Sequence, residues 1–548
     1  MKAAVRFGWR GAAALLSGVM LAASFPPFAS SQVAWVALAP LLVVARYSRP
    51  SQAFRSGFLA GLVFWATTLA WLQALAHFGS PYVMVASAWL ALAAACALYL
   101  GLFTALTALL WRHDGSAEAA ADDGMLRNVG RVVLIPILWV GVEYLRATLF
   151  TGFGWNALGV SQYRNLAVIQ VAEFGGVYAV SALVVVVTAG LTLTVLDVMP
   201  GKKGRVVRRR FHPELMVALM MLVGAMTWGL SRVQGLRAVE AGDGVTNVRC
   251  ATVQANIPQD EKWSDAVAQE VADRLVALSE RAHAGIADLV IWPETASPTG
   301  LGAAMDTPSY LVELAMRVGP LLVGAMEVEA AGDEEYRYYN SALLFLRSGE
   351  IAGAYRKQHL VPFGEYMPLA GIIPGLNRFA PLGYNCTPGR GAGVFRLSSP
   401  EVPFAVLICF EDGIAPLARR AVRAGARLLI NQTNDAWFEG TSAGVQHLSQ
   451  SVFRSVENRV PLVRCANLGV SCIIDRTGAL DLQTLDLLAR GDGEAASYRL
   501  DSVTVPLGAY EETVYTRHGD WALGIPSAGV VFGAILVWWR QARRARAA

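Results

Sequence analysis

Three short stretches in the second half of the chain place a reactive group directly behind an apolar run. Val406-Leu407-Ile408 is followed by Cys409, Phe410, Glu411 and Asp412. A cysteine in such a place is ordinarily a small core residue, but two adjoining acids are not apolar surroundings. With a base or cation beside it, the thiol becomes a nucleophile near neutral pH. Ile291-Trp292-Pro293 is followed by Glu294. Proline cannot donate to a strand ladder, so this carboxylate emerges at a strand end, where α/β folds collect their sites. Taken alone, it reads as a surface glutamate. In Tyr355-Arg356-Lys357-Gln358-His359, running on to Glu365-Tyr366, charges alternate with apolar and turn residues, unlike a solvated helix face. A solvated loop remains the plain reading of that stretch.

These groups need a scaffold, and the surrounding pattern supplies one. Short β-branched runs fall at Val248–Gln254, Asp288–Trp292, Leu321–Met326, Ser341–Leu346, Phe404–Phe410, Arg427–Gln432, Leu462–Ala466 and Cys472–Asp475. Between the first two, Val267, Val271, Leu275, Leu278 and Ala282 recur every three or four residues and predict one apolar helix face. Strands alternating with helices predict an α/β domain with helices covering a sheet. Cys250, Cys465 and Cys472 lie in or beside strands without acidic neighbours, and Cys386 sits in a Gly/Pro-rich loop. All four read as structural.

The first 235 residues have a different character. The whole chain of 548 residues is 54% hydrophobic and 16% charged, too apolar for a soluble protein. Apolar runs predict spans at Gly8–Ala23, Gln32–Ala45, Phe54–His77, Tyr82–Trp111, Arg131–Phe150, Ala167–Leu196, Pro213–Leu230 and Trp521–Trp539. The first also fits a cleaved signal peptide, with Lys2, Arg6 and Arg10 before it. Positive charges set the orientation. Arg46, Arg49 and Arg55, then Arg112, Arg127 and Arg131, then Lys202, Lys203, Arg205, Arg208, Arg209 and Arg210, and finally Arg540, Arg543, Arg544 and Arg546 all fall on one side. That side is expected to be cytoplasmic, which puts Ser231–Asp520 outside, in a compartment that permits disulfides. Glu143 and Arg146 are ionisable groups one turn apart near the outer end of a span. They are candidates for function, or for an ion pair that orients the helix. There is no Cys-x-x-Cys, no paired-histidine spacing and no P-loop, so no metal, nucleotide or other cofactor is expected, and no nucleic-acid partner.

In the order Glu294, Lys357, Cys409, the three motifs resemble the carbon–nitrogen hydrolase (nitrilase) superfamily, as does Asn434-Asp435-Ala436-Trp437-Phe438. The resemblance implies an α-β-β-α sandwich and a Glu–Lys–Cys triad. Further motifs are similar to the family of bacterial apolipoprotein N-acyltransferases. They are Glu143-Tyr144-Leu145-Arg146, Thr151-Gly152-Phe153-Gly154-Trp155, Ser161-Gln162, and Val253-Gln254-Ala255-Asn256-Ile257-Pro258-Gln259 with Lys262 and Trp263. That likeness spans nearly the whole chain. It implies a membrane domain of seven helices over 1–235, an extracytoplasmic catalytic domain over 246–510, and an eighth helix with a basic tail over 521–548.

The implied reaction moves a fatty acyl group from a membrane phospholipid to the α-amino group of a diacylglyceryl-cysteine on an apolipoprotein, in the bacterial inner membrane. Glu294 would be the base, Cys409 the nucleophile and Lys357 the oxyanion partner. Glu365 and Glu411 would support them. Trp263 and Phe410 would meet substrate, and Trp437 and Phe438 would contribute an apolar lid. Phe410 stands where the family commonly has tyrosine, so a hydroxyl donor is missing. The alternatives are a membrane-bound amidase for small amides, a transporter with an accessory domain, and a Cys–His hydrolase using His359 or His447.

Overall fold

The computed structural model describes residues 2–78, 81–111, 121–198, 211–242, 244–262, 266–302, 305–332, 335–368, 372, 384–481, 483–485, 498–506 and 510–547. The chain divides into two compact units, Met1–Gln234 with Thr513–Ala548, and Gly235–Glu512. Trp263, Arg112 and the basic run Lys202, Lys203, Arg205, Arg208, Arg209 and Arg210 lie outside the described residues.

The first unit is helical. Among the described residues five helices are long and apolar enough to cross a membrane: Tyr82–Leu109, Leu126–Thr148, Val177–Val198, Pro213–Glu240 and Val514–Arg540. A sixth arises if Pro50–Thr68 and Ala70–Phe78, bent by 45°, form one span. Three predicted spans are thereby corrected. Gln32–Ala45 is two helices, Ser31–Ala37 and Ala39–Tyr47, because Pro40 opens the second one. Phe54–His77 bends where the α-helix gives way to a 3₁₀ helix after Thr68. Ala167–Leu196 begins as two single turns, Leu166–Ile169 and Ala172–Gly175. Its long helix starts only at Val177, after Gly176 takes a positive φ of 65°.

Helix Pro50–Thr68 meets helix Tyr82–Leu109 through Gly57 and Gly61, spaced four apart on one face. A Cβ at Gly61 would strike Ala97, and one at Gly57 would strike Thr104 and the Leu100 carbonyl. Small residues at this spacing let two helices approach closely where no hydrophobic effect drives them together.

The second unit is a two-sheet sandwich. Its strands are β1 Val245–Val253, β2 Leu289–Ile291, β3 Leu321–Gly332, β4 Glu335–Phe345, β5 Ile351–Arg356, β6 Val394–Ser398, β7 Glu401–Ile408, β8 Leu428–Thr433, β9 Leu462–Ala466, β10 Cys472–Ile474 and β11 Tyr498–Pro506. One sheet runs β11-β1-β2-β3-β4-β5 and the other β10-β9-β8-β7-β6.

The two-residue period of the strands sorts their side chains. Val248 and Cys250 on β1 and Leu322 on β3 join Phe404, Val406, Ile408, Leu428, Ile430 and Val463 in a buried layer between the sheets. Their neighbours Ala251, Val253, Leu321 and Val323 face the other way, against helices Ala268–His283 and Ser309–Val318. On the second sheet, Ala415–Arg423 packs on β7 and Ala443–Asn458 on β9. The layers are therefore helix, sheet, sheet, helix.

The sequence pattern located every central strand and passed over β5, β6 and β11. All three are edge strands. Their outer faces are wet, so their apolar signal is diluted.

Candidate functional site

The site is built at the ends of β2, β5 and β7. Glu294 follows β2 by three residues and is 7% exposed. Trp292 anchors the exit, its indole N–H donating to Ser279 Oγ at 2.8 Å while the Gln432 amide donates to its carbonyl at 2.6 Å. The neighbouring strand leaves room for the bend, because a Cβ at Gly324 would collide with the Pro293 carbonyl. Thr295 then turns with a positive φ of 45°.

Lys262 holds this bend from the far side. Its ammonium donates to the Glu294 carbonyl at 2.9 Å and to Thr295 Oγ1 at 2.8 Å. Burial pulls the Lys262 ammonium down to about 8, against the pull of Glu294 and Cys409.

Lys357 follows β5 and is 1% exposed. Its Nζ donates to Glu365 Oε1 at 2.9 Å and to Glu294 Oε1 at 3.3 Å. Asn340 on β4 donates to the same two oxygens, at 2.7 and 2.8 Å. Glu365 Oε2 accepts from the Val361 N–H at 2.8 Å, which closes the loop carrying both groups. Burial alone would strip the proton from Lys357, but Glu365, Glu294 and Cys409 together hold it well above its ordinary range. Among the described residues, both side-chain hydrogen bonds to Glu294 go to Oε1, so Oε2 is not engaged.

Cys409 is the first residue beyond β7. Of six free cysteines five are buried, and only Cys409 is partly exposed. Its φ of +53° is left-handed, a conformation that costs a non-glycine residue on the order of 1–3 kcal/mol. Burial and Glu294 push the thiol up, and Lys357 opposes them, so the resting group is a thiol in the field of a carboxylate and an ammonium that are paired with each other.

Glu411 ties the two halves together. Its Oε1 accepts from the Gln358 and His359 N–H groups at 2.7 and 3.0 Å, and its Oε2 accepts from Tyr355 O–H at 2.9 Å and from Ile408 N–H at 2.8 Å. It thus fixes the Lys357 segment to the Cys409 turn. Phe410 is half-buried and meets His359 edge-on at 5.4 Å.

The structure brings Glu294, Lys357, Cys409, Glu365 and Glu411 together. Trp437 and Phe438 are half-buried on the 3₁₀ helix Asp435–Phe438, whose Asp435 pairs with His447 and Arg464. Asn340 and Lys262 had no part in the sequence argument for the site. The signal for Asn340 was a lone amide entering an apolar strand. The signal for Lys262 was a lysine among turn residues just ahead of Trp263.

His447 is not arranged as a base. Its Nε2 faces Asp412 Oδ1 at 2.9 Å and its Nδ1 faces Asp435 Oδ1 at 3.0 Å. Burial opposes its charge, yet Asp412 and Asp435 hold the imidazolium up to about 9. With both ring nitrogens turned to carboxylates, His447 is placed as part of a buried ion cluster and not as the base of the Cys–His alternative.

In the helical unit Glu143 and Arg146 both turn to the loop that follows their helix. Glu143 Oε1 accepts from the Leu158 N–H at 2.6 Å. Arg146 donates to the Phe153 carbonyl and, at 2.8 Å, to that of Trp155, and its guanidinium lies over the Trp65 ring. They brace the Phe153–Leu158 turn.

Comparison with known proteins divides along the same line. The family model for the apolipoprotein N-acyltransferase N-terminal domain matches residues 17–190, and that for carbon-nitrogen hydrolase matches residues 249–483. Apolipoprotein N-acyltransferase of Geobacter metallireducens is 36% identical over 527 residues, covering 94% of each chain. That of Brucella melitensis is 32% identical over 497 residues, covering 86% of this chain and 87% of its own. Among solved structures, a carbon-nitrogen hydrolase from Helicobacter pylori G27 matches 45% of this chain and 94% of its own, at 19% identity and a TM-score of 0.32.

Proposed function

Because this chain belongs to the apolipoprotein N-acyltransferase family, we propose that it acylates lipoproteins through a thioester on Cys409. In the first half-reaction Glu294, through Oε2, takes the Cys409 proton as the sulfur attacks the ester carbonyl of a membrane phospholipid. The C–O bond to glycerol breaks, the proton passes to the departing oxygen, and a lysophospholipid leaves. In the second, the free α-amino group of a diacylglyceryl-cysteine attacks the thioester. The C–S bond breaks, the amide forms, and the proton returns to sulfur. Lys357 faces the carbonyl oxygen as it gains charge in each step, a contribution on the order of 3 kcal/mol for one donor. Glu365 and Asn340 hold that ammonium, Glu411 fixes its segment to the nucleophile, and Trp263, Phe410, Trp437 and Phe438 contact acyl chains. The observation that carries this reading is the partly exposed thiol of Cys409, on which the ion-paired Glu294 and Lys357 both act.

Counting Lys2–Ala23 and the broken Ser31–Tyr47 with the five long helices and the bent pair gives eight crossings. With the basic loops in the cytoplasm, the catalytic domain over 246–510 then faces the periplasm of the inner membrane. Location follows from the substrates too. Both carry acyl chains that leave a bilayer only at ~0.8 kcal/mol per exposed CH₂. Incubating the purified full chain with phospholipid tests the scheme by intact mass. A hydroxylamine-labile fatty acyl adduct in wild type that is absent from Cys409→Ser is expected. A folded wild type that takes up no acyl group would sink the scheme and bring the amidase forward.

A further inference from the structure

Strand β8 carries a polar residue that the reaction scheme does not use. Asn431 is fully buried on the central strand of its sheet. Its Nδ2 donates to the Leu407 carbonyl at 3.2 Å and to the Cys409 carbonyl at 2.8 Å. These carbonyls flank Ile408, the last residue of β7. A single amide group therefore spans the point where an extended strand becomes the left-handed turn that presents the thiol.

Asn431 is itself held. Its Oδ1 accepts from Arg464 Nη1 at 2.8 Å. Arg464, fully buried on β9, also reaches Asp412 Oδ2 at 2.8 Å, Asp435 Oδ2 at 2.9 Å and the Val470 carbonyl at 3.2 Å. His447 sits between the same two carboxylates. Asp412 and Asp435, drawn from separate elements and joined by His447, thus fix the guanidinium that fixes Asn431. An apolar residue would serve a central strand better unless the amide had work to do, because a buried amide is tolerated only when its hydrogen bonds are made. Here all three are made, two of them to the Cys409 junction and the third to Arg464.

We propose that Asn431 is a positioning residue for acyl transfer: it clamps the Leu407 and Cys409 carbonyls, sets the direction of the Cys409 sulfur, and is braced from behind by Arg464. This rests on the reading that Cys409 carries the acyl group. A nucleophile displaced by 1 Å loses about 100-fold in rate, with little effect on how substrate binds.

The test uses the full chain in detergent micelles containing phosphatidylethanolamine and phosphatidylglycerol. Asn431→Asp keeps the shape and the acceptor for Arg464 but removes both donors, and Asn431→Ala removes them without adding charge. Single-turnover acylation of Cys409, followed by intact mass, is expected to slow about 100-fold in each. The phospholipid concentration giving half-maximal rate stays within about twofold of wild type. Acylation at the wild-type rate in either folded variant overturns the proposal, as does a loss that higher phospholipid restores. Should one variant fail to fold, the other decides. Alkylation of Cys409 by iodoacetamide without lipid separates this idea from the acyl-transfer reading. If wild type is alkylated but never acylated, that reading fails. Positioning is then upheld by slower alkylation of Asn431→Ala and overturned by an equal rate.

Discussion

Two buried charge clusters meet at Cys409, and they differ in balance. Around its thiol, Glu294 and Glu365 share Lys357, with the neutral Asn340 as the other donor to both carboxylates. Behind its carbonyl, Asp412 and Asp435 are matched by Arg464 and His447. In the matched cluster burial works against the carboxylates, yet the two cations overcome it. Asp412 is lowered and Asp435 falls to about 2. In the unmatched one the surplus negative charge adds to burial in raising the thiol, and it keeps Lys357 protonated. Equal numbers of charges at close range make a rigid strut. A shortfall of one ion-paired cation, Lys262 donating to the Glu294 carbonyl and not to its carboxylate, leaves a proton with somewhere to go.

The largest effect that would break this contrast lies in the unmatched cluster. Glu294→Gln keeps the size and an acceptor for Asn340 but removes the base. Cys409 acylation, read by mass at fixed phospholipid, is expected to fall about 10²–10⁴-fold while the melting temperature holds. A variant that unfolds instead would make Glu294 part of the frame. The next effect lies in the matched cluster and should appear as stability. Arg464→Met leaves two carboxylates facing one imidazolium in a dry interior, and removing one partner of such a set costs about 3–5 kcal/mol. Thermal melts of the full chain in detergent would show it. An unchanged melt would mean that the cluster is not a strut.

The smallest effect sharpens the comparison through pH. The folded protein holds His447 up to about 9 from its ordinary 6.5, so its contribution is complete below about 6.5 and is lost as pH rises through about 9. Asp435 acts in the opposite sense, contributing above its ordinary 3.8 and losing that contribution as pH falls through about 2. The melting temperature should therefore decline between pH 6.5 and 9. Lys262, pulled down from 10.5 to about 8, acts in the opposite sense, adding stability as pH rises above about 8. The difference between wild type and His447→Gln at each pH isolates the histidine. A difference that does not vary across this window would mean that His447 carries no folded-state charge.

The unmatched cluster was the legible one. Glu294 and Cys409 each stand behind an apolar run, where a reactive group at a strand end is visible along the sequence, and Lys357 came with them through the resemblance although its strand β5 reads as loop. The matched cluster was not legible, because its logic lies across strands. Asn431 sits inside a run that reads simply as a strand, and its partner Arg464 is 33 residues further on. His447 stood out only as a candidate base, since nothing in its own helix announces that two carboxylates from other elements enclose it. The same reason separates the strands found from those missed. Central strands such as β7 and β8 are buried on both faces and carry apolar runs, whereas the edge strand β5 alternates with solvent and reads as loop.

The close pass of Gly324 beneath the Pro293 carbonyl bears on how this sequence can drift. Position 324 carries no side chain, touches no substrate and titrates nothing. Any replacement there still pushes a Cβ into the backbone that aims Glu294. A saturation library scored for activity should find it as intolerant as the reactive residues themselves. A map of intolerant positions would therefore outline the space that the reaction needs kept empty as well as the groups that perform it.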